Sequence, residues 1–153
     1  MEITYASTTG NWRMFRNMSS TEGKISYRNN IRPDIKLIAE LYKKAQLNRP
    51  VENLDRLQTM YDNSNIVLSA WDDDILAGIL RGWTDEAFHG YVCDLAVHPD
   101  YQQCGIGKEL LDQAKSINFK VELVLRASAI ARDYYQHIGW KKIENGWFSS
   151  RES

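Results

Sequence analysis

The chain is poor in the residue types that announce many specialised proteins. Of its 153 residues only two are cysteine, Cys93 and Cys104, and three are proline. Two cysteines on either side of the turn at Pro99 make neither a disulfide framework nor a zinc-ligand spacing, and no metal is expected. Neither charge sign is in excess: 19 Lys and Arg stand against 20 Asp and Glu, a formal net charge of −1. Nucleic-acid and anionic-membrane partners usually call for a basic surplus, so neither is expected. No apolar run nears the roughly 20 residues of a membrane span. Met1–Ser20 lacks the apolar core of a secretory signal, which makes a cytoplasmic location the expectation. Internal repeats and low-complexity tracts are absent too. What is left is an ordinary globular composition, 43% hydrophobic and 25% charged.

Residues 1–23 read differently from the rest. They are rich in Ser, Thr and Asn, with Trp12, Met14, Phe15 and Met18 at no clear period. A weakly anchored N-terminal extension is expected there, with residues 24–153 as a single domain. Lys24–Arg28 predicts a short strand. Pro33 and Asp34 open a helix whose stripe is Ile35, Ile38, Ala39, Leu41, Tyr42 and Ala45, and a second helix follows Pro50 with Val51, Leu54, Leu57 and Tyr61. Ile66–Trp71 and Ile75–Trp83 predict a hairpin around Asp72-Asp73-Asp74. Val121–Arg126 reads as a central strand. Ser128–Ile138 reads as a helix capped by Ser128 and ended by Gly139. Lys141–Glu144 and Trp147–Ser149 predict two last short strands around Asn145-Gly146. The class is α+β, or mixed α/β.

The chemistry concentrates in Tyr91–Leu111, YVCDLAVHPDYQQCGIGKELL. Its first half alternates like a strand, a polar turn follows, and from Ile106 the apolar residues take helical spacing with Leu110 and Leu111. Strand, glycine-bearing turn and helix leave several backbone N–H groups converging at a helix N-terminus, a ready anion site. A phosphate loop of the nucleotide-hydrolase type needs Ser or Thr after Gly107-Lys108, where Glu109 stands. The dinucleotide fingerprint needs a third glycine where Leu110 stands. Both readings fail, leaving Q-x-x-G-x-G.

LAVHPDYQQCGIGKELL resembles the acetyl-CoA motif of the GNAT superfamily of N-acetyltransferases. A second segment, SAIARDYYQHIGW, is similar to that family's N-x-x-A-x-x-(F/L)-Y-E-K-L-G-F run, with Ser128, Ala131, Tyr134, Tyr135, Gly139 and Trp140 on the matching positions. The resemblance covers residues 24–149. It implies a mostly antiparallel sheet of about six or seven strands flanked by about four helices, with a splayed strand pair at the CoA site. It implies acetyl-CoA as co-substrate, held along Leu95, Ala96 and Val97 and by Gln102, Gln103, Cys104, Gly105, Ile106, Gly107 and Lys108, with Ser128, Ala131 and Tyr134 nearby. The family's loop often carries Arg or Lys before its first glycine. Here Gln103-Cys104 is uncharged, and Ser128 replaces the usual Asn.

The implied reaction is direct attack of a primary amine on the thioester, with Tyr135 as general acid to the leaving thiolate. Asp94 is the candidate for binding an ammonium or taking its proton through water; the plainer reading is a structural hydrogen-bond acceptor. Tyr91 and Cys93 lie where other members place a catalytic Glu or His, and neither is an obvious base. Tyr42, Trp83, Asp85, Tyr91 and Trp147 are the candidate acceptor lining, a set of aromatic faces and a carboxylate that suits a small cationic amine. A protein N-terminus or lysine remains open as acceptor, as does a non-catalytic acyl-CoA sensor or an antitoxin-like scaffold. A monomer or homodimer is expected.

Overall fold

The computed structural model describes residues 25–129 and 131–151. The expected extension over residues 1–23 lies outside them. Among the described residues five strands form one sheet in the order β1-β2-β3-β4-β5. They are β1 (Ser26–Asn29), β2 (Ile66–Asp72), β3 (Ile75–Thr84), β4 (His89–Val97) and β5 (Glu122–Leu125). The first four run antiparallel to their neighbours and β5 lies parallel to β4. Four helices accompany them: α1 (Ile35–Lys44), α2 (Leu54–Asp62), α3 (Ile106–Ile117) and α4 (Arg132–His137).

Local chemistry explains the helix starts. Asp34 caps α1 by accepting from the Lys36 N–H at 2.8 Å, and Asn53 caps α2 by accepting from Arg56 at 2.9 Å. Each supplies one of the donors a helix start leaves orphaned, worth about 1 kcal/mol. Ile38, Ala39, Leu41 and Tyr42 of α1, with Leu57 and Tyr61 of α2, bury against Val67, Trp71, Leu76, Ile79 and Ala96 on one sheet face. The other face, with Leu68, Leu80, Val92, Leu95 and Val97, packs on Ile106, Leu110 and Leu111 of α3 and Tyr135 of α4. Full burial of each large apolar side chain contributes about 1.5–3 kcal/mol.

Three expectations need correction. Val121–Arg126 is not central. Among the described residues it holds β5 at the end of the sheet beside β4, with Glu122 exposed and Leu123, Val124 and Leu125 only half-buried. The predicted strands Lys141–Glu144 and Trp147–Ser149 are not strands, so the sheet has five among the described residues rather than six or seven. Ile143, Trp147 and Phe148 are exposed there, and pieces of three and four residues are too short to hold a hairpin without burying a face. Finally, α4 is six residues long rather than spanning Ser128–Ile138, and Ala131 rather than Ser128 stands at its start. Its end is as expected. Gly139 has φ +87°, its N–H donates to the Gln136 carbonyl, and that of Trp140 donates to Tyr135. That is the two-bond glycine stop that satisfies the last carbonyls of a helix.

Gly78 on β3 sets the distance of α3 from the sheet. A Cβ there would stand 2.8 Å from Ile106 Cγ2 and 3.3 Å from Leu110 Cδ1. Gly78→Ala is expected to destabilise the chain by about 1–3 kcal/mol through overpacking, measured by urea unfolding; an unchanged midpoint would show that α3 yields freely.

Candidate active site

The stretch after β4 folds as its composition demands. A single 3-10 turn, Pro99–Tyr101, follows His98, whose ring Nδ1 accepts from the Asp100 N–H at 3.2 Å. Gln103 then takes φ +65° and Gly105 φ +82°, and α3 begins. Such positive angles turn successive N–H groups inward, a backbone concavity suited to an anion. Gly105 caps α3 without any side-chain hydrogen bond, and a Cβ added there would meet nothing within 4 Å. Among the described residues no side chain caps the first N–H groups of this twelve-residue helix, and the positive end of its dipole lies behind them. These residues fit the pyrophosphate of acetyl-CoA. Lys108, the expected cation beside it, is exposed and pairs with Asp112 at 2.5 Å, which raises its pKa. Gln102 Nε2 donates to the Val97 carbonyl at 3.3 Å, and Cys104 is exposed.

Upstream, the strand itself is irregular. Val92 pairs with Gly82 and Asp94 with Arg81, so Cys93 is an extra residue on β4. The inserted residue breaks the alternation of faces, and Val92, Leu95 and Val97 all reach the α3 side. Pairing with β5 stops at the same point, the last pair being Val92 with Leu125. Beyond Val92 the regular pairing of β4 with β5 ends, while pairing with β3 continues through Leu95, Ala96 and Val97.

Asp94 sits at that bulge and is completely buried. Arg49 Nε donates to its Oδ1 at 2.5 Å, Arg81 Nε to its Oδ2 at 2.6 Å, and the Tyr42 hydroxyl to Oδ2 at 3.0 Å. Tyr42 and Tyr61 share a hydroxyl–hydroxyl bond of 2.6 Å, and Arg81 Nη1 reaches Ser64 Oγ at 3.0 Å. Burial pushes both tyrosine pKa values well up, and the neighbouring carboxylate adds to it. Burial also works against the Arg81 charge, but Asp94 more than offsets this and leaves its pKa raised. Of the two readings of Asp94, this geometry suits the structural acceptor, since both carboxylate oxygens accept hydrogen bonds in a fully buried setting, and Tyr42 is fully buried as one of the donors.

The other acceptor candidates are not gathered in one place. Asp85 is turned onto its own loop, its Oδ1 accepting from Ala87, Phe88 and His89, which lowers its pKa. Trp83 is half-exposed beside an open groove with Arg32, Asp62 and Glu86. Tyr91, its cross-strand neighbour on β4, is partly buried, and Trp147 is almost wholly exposed. Tyr135 is 5% exposed, with Tyr134 and Trp140 ring centroids at 5.3 and 6.0 Å, in the apolar cluster that also holds Leu95, Val97 and Ala131. Ser128 is buried, and its Oγ has no hydrogen-bond partner among the described residues. Burial raises the Cys93 thiol pKa.

Arg49 and Arg81 were missed by the sequence reading. Arg81 had a signal: one cation in the apolar strand ILAGILRGWT, matched by one anion in YVCDLAV. Arg49, in the loop after α1, had none.

The fold and this site define an acyltransferase class, and the chain belongs to the GNAT acetyltransferase family: the Acetyltransferase (GNAT) domain matches residues 38–149. The chain is 33% identical over 99 residues to a ycf52-like N-acetyltransferase of Prochlorococcus marinus whose activity is uncharacterised. That match takes in 60% of this chain and 53% of the relative, so the chain spans about half the length of the curated relatives it matches. Its fold is similar to that of a Deinococcus radiodurans R1 protein described as an acetyltransferase (TM-score 0.70, 17% identity, 88% and 92% of the two chains). It is also similar to that of an aminoglycoside N-acetyltransferase in complex with CoA (TM-score 0.61, 14% identity, 84% and 95%). Among the described residues no group of three or more His, Cys, Asp and Glu is placed to hold a metal, and no helix is long and apolar enough to cross a membrane.

Asp94→Asn would leave two buried guanidinium groups without their counter-charge. The expected loss is about 3–5 kcal/mol of stability, read from denaturant unfolding, and a loss under about 1 kcal/mol would mean that water reaches the cluster.

Proposed function

We propose that this chain transfers an acetyl group from acetyl-CoA to a primary amine, by direct attack of the neutral amine on the thioester. The observation that carries this reading is the start of α3 at Gly105, which has no side-chain cap, one turn and loop after a strand whose regular pairing with β5 ends at Val92. One feature suits a pyrophosphate; the other suits an extended arm hydrogen-bonded as a strand. Acetyl-CoA supplies the activated acyl group, and the chain's own residues do the rest.

Leu95 and Val97 offer backbone groups along the open edge, while Gln103 to Lys108 supply the amide cradle. Ser128, buried without a hydrogen-bond partner among the described residues, suits a contact with the donor's arm. Tyr135 is the proton donor to the departing thiolate, and Tyr134 packs against it. A covalent route through Cys93 is disfavoured, because its raised pKa keeps the thiol neutral and a thiol attacks poorly. With Asp94 closed in its clamp, the amine's proton leaves through water. Trp83 and Tyr91, paired across β3 and β4, offer aromatic faces for a small amine, and the amine acetyl acceptor of the CoA-bound structural relative is consistent with that class.

Three measurements test this. CoA at about a hundred times its Kd is expected to stabilise the native state by about 2.7 kcal/mol, and the absence of any thermal shift at saturation would remove the reading. An amine screen that detects released thiol separates turnover from mere binding; binding without release of thiol from any amine would make the chain an acyl-CoA sensor. Tyr135→Phe is expected to lower kcat about a hundredfold with CoA affinity unchanged, and unaltered turnover would end its role as acid.

A further inference from the structure

The guanidinium of Arg49 does two jobs at the bulge of β4. Besides its 2.5 Å bond to the Asp94 carboxylate, its Nη2 donates to the backbone carbonyl of Cys93 at 3.0 Å, and Nη1 donates to the carbonyl of Asn48 in its own loop at 2.6 Å. Its side chain is 5% exposed. One planar fork therefore grips the bulged residue and its successor while tying them to the loop that joins α1 and α2. Arg81 holds Asp94 as well, but among the described residues its Nη1 bonds to Ser64 and the Met60 carbonyl, away from the β4 backbone. The two arginines are not equivalent.

Position makes this consequential. Cys93 is both the inserted residue and the first residue beyond the last β4–β5 pair. An inserted residue leaves part of the ladder unmade and lets the strand shift register unless something holds it. A half-buried backbone carbonyl at such a point needs a donor. Arg49 supplies that donor. The arginine fork is rigid and directional, which a lysine ammonium cannot reproduce.

We propose that Arg49 is a positioning residue for acetyl-CoA: by holding the Cys93 carbonyl and Asp94 together it sets the course of the β4 edge from Cys93 to Val97 along which the donor's arm lies. The proposal rests on the acetyl-CoA reading of the site. Arg49→Gln leaves the Arg81–Asp94 ion pair in place and is the variant expected to fold, with Arg49→Lys as its charge-retaining counterpart. Tyr61→Phe is the control. It removes a hydroxyl from the same network, one hydrogen bond further from Asp94, without touching β4.

The test combines two readouts on purified full-length chain. By calorimetric titration with acetyl-CoA, both Arg49 variants are expected to bind about tenfold more weakly than wild type, a loss of about 1.4 kcal/mol, while Tyr61→Phe stays within about twofold. By amide hydrogen exchange without any ligand, Cys93–Val97 is expected to exchange about tenfold faster in the Arg49 variants, and the α3 amides no faster than in Tyr61→Phe. Wild-type affinity in both Arg49 variants, or unchanged exchange over Cys93–Val97, overturns the proposal. If wild type itself binds no acetyl-CoA, the acetyl-transfer reading falls instead, and the exchange result alone decides whether Arg49 holds the bulge.

Discussion

A single carboxylate, completely buried between two guanidinium groups, is the constraint around which this fold is arranged. Asp94 lies in the middle of β4, Arg81 on the neighbouring strand β3, and Arg49 in the loop between α1 and α2, with Tyr42 of α1 completing the shell. Burying one charge costs several kcal/mol unless its partners are close and its lone pairs are filled. Here both oxygens are filled, so the cost is met by contacts from three separate parts of the chain. The cluster thereby ties the two-helix face to the sheet at the one place where the sheet is irregular.

That placement joins structure to chemistry. A bulge weakens a strand, and a strand that loses its neighbour is weaker still. Both occur at Cys93, and it is there that the clamp sits. Downstream the strand runs into a turn with left-handed backbone at Gln103 and Gly105, and into a helix start with no side-chain cap. Stability is concentrated in the clamp, and unmet hydrogen-bonding capacity in the segment beyond it. Sites that bind ligands through backbone groups need that division, because unpaired N–H and C=O groups survive only where their surroundings hold them in place.

Much of this was legible in the chain. Asp34, Gly139 and the glycines of the CoA loop announced a helix start, a helix end and an anion cradle, since capping and positive backbone angles depend on neighbours in sequence. The helical stripes of α1 and α3 were readable for the same reason. The last two strands were not, because Lys141–Glu144 and Trp147–Ser149 carry strand-like residues but find no partner edge among the described residues. Asp94 was left with two readings, base or structural acceptor, because charge and position along a strand say nothing about burial. Arg49 could not be seen at all: it stands 45 residues from Asp94 in sequence.

What the sequence by itself determined is therefore local: which segments turn, cap and alternate, and that Gln102–Gly107 followed by a helix makes an amide cradle. The periodicities and dihedral preferences behind these act over three or four residues. Only the tertiary structure decided which side chains are spent on holding the fold and which are left to act. It closed Asp94 and Tyr42 inside a clamp, put β5 at the end of the sheet among the described residues, and ended its regular pairing with β4 at Val92. Those outcomes depend on which distant segments meet and on how much water they exclude, and burial of that kind is a property of packed layers, not of neighbouring residues in a chain.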